Sequence, residues 1–155
     1  MLLKASFLLL FVASLAIGQS TYQRHRTGPW RHFHSAPRSK TSRDLARLIA
    51  KLRHGGATVV LSNERVSQPF FAVRGRIVKI NAEAVQVFEY PRTPAVDVDA
   101  RKISTDGRTI GTSKPSWMAP PHFFKSGKFL VLYIGGNQTI LNVLQGALGS
   151  QFAGA

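Results

Sequence analysis

The chain contains no cysteine. That excludes disulfides, thiolate metal sites, cysteine nucleophiles and lipid attachment through an N-terminal cysteine. Acidic residues are scarce, seven Asp and Glu against 21 Lys and Arg, for a formal net charge of +14. Asp97 and Asp99 are two apart on an expected helix and do not share a face, so they make no carboxylate pair for acid–base work. Gly135-Gly136 lacks the downstream residues of a phosphate-cradling loop. There is no internal repeat at a solenoid period. Nor is there an apolar run of the ~20 residues that a membrane span usually needs.

What is present begins with an uneven charge. Arg24, Arg26, Arg31, Arg38, Lys40, Arg43, Arg47, Lys51 and Arg53 crowd the stretch 23–54, where Asp44 is the one acid. Ahead of it, Lys4 precedes the apolar run Ala5–Ile17, and Ala16 and Gly18 are small residues at the −3 and −1 positions of a cleavage site. A positive start, a short apolar run and small residues in that order predict a secretory signal peptide over 1–18, cleaved before Gln19. The protein is then secreted, periplasmic or held at the cell envelope. Left uncleaved, the same run is a membrane anchor. Residues 19–41 mix Arg, His, Ser, Thr, Pro and Gly without apolar periodicity and read as a disordered basic linker.

Residues 42–155 carry the folding signal, expected as a single α+β domain. Leu45, Leu48, Ile49 and Leu52 form one helical stripe over Arg43–His54. Thr41 or Ser42 caps it, Gly55-Gly56 stops it, and Arg43, Arg47 and Lys51 line its far face. Strands are expected over Thr58–Leu61, Phe70–Ile80 and Ala84–Tyr90, the last two joined at Asn81-Ala82-Glu83. Thr93-Pro94 opens a second helix to Ile103. Trp117–Phe124 and Phe129–Ile134 form a hairpin-like unit around Lys125-Ser126-Gly127-Lys128. The second arm is apolar at every position, which predicts a strand covered on both faces. Asn137 caps a last helix bearing Ile140, Leu141, Leu144 and Leu148, and Gly149 ends it. Hairpins with helices between them predict an antiparallel sheet of about five strands with helices packed on one face.

Several stretches of the C-terminal half carry a resemblance. They are Gln68-Pro69-Phe70-Phe71, Val85-Gln86-Val87-Phe88-Glu89-Tyr90, Ile103 through Gly111, Pro120-Pro121-His122-Phe123-Phe124, Val131-Leu132-Tyr133-Ile134-Gly135 and Leu148-Gly149-Ser150-Gln151-Phe152-Ala153-Gly154. Together they resemble a group of small uncharacterised bacterial exported proteins and lipoproteins. The resemblance implies export and one continuous fold, and supplies no activity. Many members look like lipoproteins with a cysteine after the signal. Here none follows Leu15-Ala16-Ile17-Gly18, so lipid anchoring does not carry over.

Three groups of residues are candidates for chemistry. His25, His32, His34 and His54 are closely spaced, but the Arg residues among them would repel a cation, so no metal site and no cofactor are expected. Trp117, His122, Phe123, Phe124 and Tyr133 form either a core or the wall of an aromatic ligand groove. In the groove reading the protein binds a small molecule, or is a hydrolase-like enzyme using His122. That histidine has no local acid or nucleophile beside it, which favours a structural role. The basic leader, with Arg24, Arg26, Trp30, Arg31, Arg38 and Lys40, has the composition of an arm for anionic membrane or cell-wall polymer. A solubilising tail is the plainer reading. Nucleic acid would conflict with export. The expectation drawn from these features is a non-enzymatic exported cell-envelope protein, a binding domain for an anionic surface, a protein partner or a small ligand.

Overall fold

The computed structural model describes residues 41–155. The expected signal peptide over 1–18 and the expected basic linker up to Lys40, with Arg24, Arg26, Trp30, Arg31 and Arg38, lie outside the described residues.

The first helix, α1 (Arg43–His54), starts where Ser42 Oγ accepts the Leu45 N–H at 3.0 Å. Asp44 sits in its first turn and Lys51, Arg53 and His54 in its last, each suited to the helix dipole. Leu45, Leu48, Ile49 and Leu52 are its buried stripe. Arg53 reaches forward to the Val59 carbonyl at 2.8 Å and ties the helix to strand β1 (Val59–Val66).

Strands β2 (Gly75–Ile80) and β3 (Glu83–Glu89) form a hairpin in which Ile80 pairs with Glu83. The two-residue turn places Asn81 at φ 48° and Ala82 at φ 72°. Positive φ at both positions matches the right-handed twist of the flanking strands. Asn81 also accepts the Thr58 N–H through its side chain, which fixes the start of β1.

Helix α2 (Thr93–Ala100) carries Pro94 in its first turn, as expected, but Thr93 is its first residue and its N-cap position is Arg92, with no side-chain cap. It stops at Ala100, and Ile103 instead bridges to Ile110. Strands β4 (Pro121–Ser126) and β5 (Phe129–Ile134) turn at Gly127, whose φ is 54°. Helix α3 (Gln138–Leu148) is capped by Asn137, which accepts the Thr139 N–H. A two-residue strand, β6 (Ala153–Gly154), closes the chain.

All pairings are antiparallel and the strand order is β1-β2-β3-β5-β4-β6. The expected α+β domain is present, with six strands and three helices. Strand β5 lies inside the sheet and is covered on both faces. Val131 and Tyr133 belong to a core with α1 and α3, whereas Leu130 and Leu132 belong to a second core with α2. Helices α1 and α3 thus share one face. The opposite face is covered by Val96 and Ala100 of α2 together with Phe71, Ile103 and Ile110 from the loops.

One expected strand is shorter in the fold. Residues 70–74 precede β2 rather than extend it. Phe71 turns inward to meet Phe88 edge-on at 4.8 Å, and the Ala72 N–H donates to the Asp99 carboxylate at 2.8 Å. A backbone donor spent on a side chain is not free for a ladder.

Candidate functional site

The sheet divides the aromatic unit between two cores. Along β4, His122 and Phe124 point to the α1/α3 side and Phe123 to the α2 side. Phe123, Phe124 and Tyr133 are buried. Trp117 is half-buried beside Phe123; its indole N–H donates to the Gly107 carbonyl at 2.9 Å, and its ring meets Phe70 and Phe123 edge-on. The five residues named from the sequence are therefore not brought together as one groove wall.

His122 is 5% exposed and stacks on Tyr133 with centroids 6.0 Å apart. Its Nδ1 meets Gln151 Oε1 at 2.7 Å. An amide oxygen only accepts, so Nδ1 donates this hydrogen bond. Nε2 is buried without a hydrogen-bond partner among the described residues. A general base must reach a substrate proton, directly or through one water. This nitrogen faces the interior, and its ring is oriented by an amide rather than by a carboxylate.

The buried carboxylate of Asp99 is a structural hub. It accepts from the Tyr90 hydroxyl at 2.7 Å, the Ala72 N–H at 2.8 Å and Lys102 Nζ at 2.6 Å. Burial pushes its pKa up, but these three donors outweigh burial and hold it below the ordinary value. Asp97, two residues earlier, pairs with Lys125 at 2.7 Å. The two aspartates thus serve separate partners.

A cationic groove was hidden in the sequence. It has a volume of about 690 Å³ and lies between α1, the start of α2 and the β4–β5 turn. Arg47, Lys51, Arg92 and Lys128 line it, with Asp44 as its one carboxylate. Asp44 is already engaged, by Lys128 Nζ at 2.7 Å and by Arg47 at 3.3 Å. The Lys128 hydrogen bond, followed by its charge, lowers the Asp44 pKa, and Asp44 and Glu89 raise that of Lys128. Ser42 donates to Glu89 at 2.7 Å, completing a polar staple from the α1 N-terminus to the β4–β5 turn. Lys51 and Arg92 have no acidic partner among the described residues. The groove also receives Thr93 and Pro94 of α2, whose first turn adds a partial positive charge. The walls are positive and the floor is Leu48, Phe129 and Ala147.

The wider surface has the same sign. Fifteen of the 21 basic residues lie in 41–155, together with all seven acids. No protein-family model, curated protein or solved structure matches this chain. Among the described residues there is no cluster of three potential metal ligands, and no helix is long and apolar enough to cross a membrane.

Sequence reading found Arg47 and Lys51 on the outer face of α1 but not their neighbours. Arg92 and Lys128 join them only because β5 inserts between β3 and β4, bringing the ends of β3 and β4 beside α1.

Proposed function

We propose that the protein is a non-enzymatic, exported binding protein of the cell envelope that attaches to anionic surfaces. The observation that carries this reading is the groove: four cations around a single carboxylate that two of them already neutralise. An anion entering it meets unbalanced positive charge. The basic leader, residues 19–40, extends the same chemistry, and the signal pattern of 1–18 with the resemblance to exported bacterial proteins supports the envelope as its place of work. Each cation near an anionic membrane contributes about 1 kcal/mol, so leader and domain together hold a soluble protein at such a surface. The orientation of His122 toward the core supports binding over hydrolysis as the role of the fold.

Two measurements test the reading. N-terminal sequencing of the mature protein is expected to begin near Gln19; cytoplasmic protein retaining Met1 would remove the envelope from the proposal. Vesicle co-sedimentation is expected to show binding to anionic but not zwitterionic vesicles. Replacing Arg24, Arg26, Arg31, Arg38 and Lys40 by Ser should reduce that preference without abolishing it. Equal binding to both vesicle types would refute attachment by charge.

A further inference from the structure

The cationic groove does not end at Lys51. A second concavity, of about 400 Å³, lies between α1 and α3 and is lined by Lys51, His54, Gly55, Asn142, Val143, Gly146 and Ala147. Lys51 and Ala147 line both concavities, so the two form one trough along α1. Its polar groups are strung out rather than convergent. Asp44 with Lys128 stands at one end, Arg47 and Lys51 follow on α1, and His54 closes the other end. At 1.5 Å per helical residue, the span from Asp44 to His54 is about 15 Å and the step from Arg47 to Lys51 about 6 Å. One small anion would engage one or two of these groups. A chain of anions would engage the row.

Gly146 supplies an independent observation. It lies within α3, its φ is not in the left-handed region, and a Cβ added there would meet nothing within 4 Å. Neither backbone conformation nor packing inside the domain requires glycine at this position. A helical glycine costs roughly 0.5–1 kcal/mol relative to alanine. Without a side chain here the α3 backbone is open to close approach from outside the fold, and the surface it opens is the trough wall shared with Lys51 and His54.

We infer that this trough takes a linear envelope polymer with phosphate groups in its backbone, laid along α1 and passing close to Gly146. The inference rests on the proposed anion-binding reading and gives its ligand a shape. A flat bilayer surface meets the exposed Arg47 and Lys51 side chains but does not follow the trough between the two helices, whereas a chain can lie along it. Single-stranded nucleic acid wants exposed rings on which bases stack. Neither concavity is lined by an exposed Phe, Tyr or Trp: Phe129 is 8% exposed, and the His54 imidazole is a single ring at one end, too little for successive bases. A phosphate chain needs cations along its length and room for its backbone, and the trough offers both.

The test uses the full chain and three probes: orthophosphate, tripolyphosphate and long-chain polyphosphate, titrated by calorimetry at low salt. A single-stranded oligonucleotide serves as competitor. Affinity is expected to rise with chain length. Lys51→Glu should weaken long-chain binding by roughly fivefold or more. Gly146→Ala should raise the melting temperature while weakening the long chain several-fold and leaving orthophosphate unchanged. A purely structural glycine would not give that combination, and the leader is identical in every comparison. If Lys51→Glu weakens binding but length and Gly146→Ala have no effect, the polymer inference fails and the anion-binding reading stands. If neither Arg47→Glu nor Lys51→Glu alters binding of any probe, the groove reading fails with it. Preference for the oligonucleotide over polyphosphate would overturn the proposed ligand class.

Discussion

Asp99→Ala is expected to destabilise the domain by about 1–3 kcal/mol. The carboxylate is 1% exposed and satisfies three donors from three segments: Ala72 before β2, Tyr90 after β3, and Lys102 after α2. Lys102 can turn to water, because its side chain is 43% exposed. The Tyr90 hydroxyl cannot, because Tyr90 is 2% exposed, and an unmet buried polar group costs about 1–3 kcal/mol. Asp99→Asn keeps the volume and one acceptor and should cost less. The pH dependence has a definite sign. The folded pKa of Asp99 is lowered, so its contribution is present above the unfolded value near 3.8 and is lost as pH falls through the lower folded value. Urea unfolding of wild type and Asp99→Ala should therefore show a gap at pH 7 that narrows below about pH 4. A gap under about 1 kcal/mol at pH 7 would show that Asp99 does not hold this face together.

Alanine at Val131 or Leu132 is expected to cost about 2–4 kcal/mol in each case, through lost burial and the cavity left behind. The two residues are neighbours in sequence but belong to different cores. Val131 packs with the α1/α3 side and Leu132 with the α2 side, and neither is more than 1% exposed. Chemical denaturation of the two single variants thus measures the two faces of β5 separately. If either cost is near zero, that face is not a packed core, and the placement of β5 inside the sheet would lose its energetic basis.

What the sequence made legible follows from where its signals are local. Helix α1 has a complete stripe, an oxygen cap at Ser42 and two glycines after His54, and its bounds match the expectation. Asn137 and Gly149 bracket α3 in the same way. Strand β5 could be read because six consecutive apolar residues leave no solvent face. Strand β6 could not, since Ala153-Gly154 has no periodicity and is held by backbone pairing to His122 and Phe123. Only glycine fits there, because a Cβ on Gly154 would lie 2.0 Å from the Pro121 carbonyl oxygen. Residues 70–74 misled because phenylalanine favours strands, while here Asp99, 27 positions downstream of Ala72, captures the backbone. The aromatic unit could be read as core or groove wall because its composition suits either. The sheet resolves its packing by alternation, sending His122 and Phe124 one way and Phe123 the other. The cationic groove was the least legible feature. Its residues come from α1, from the start of α2 and from a hairpin turn, and only strand order assembles them.

The central claim is that positive charge in this groove binds anionic surfaces. The most direct measurement compares the full chain with its Arg47→Glu/Lys51→Glu variant, titrating anionic vesicles across a range of salt concentrations. Both side chains are exposed and neither lies in the buried stripe of α1, so the fold should persist by circular dichroism. The wild type is expected to bind more tightly at low salt, by tenfold or more if each reversal removes at least ~1 kcal/mol. The two curves should converge toward molar salt, where the Debye length is about 3 Å. Identical curves for the two proteins at every salt concentration would contradict the claim and leave the leader alone as the source of any attachment.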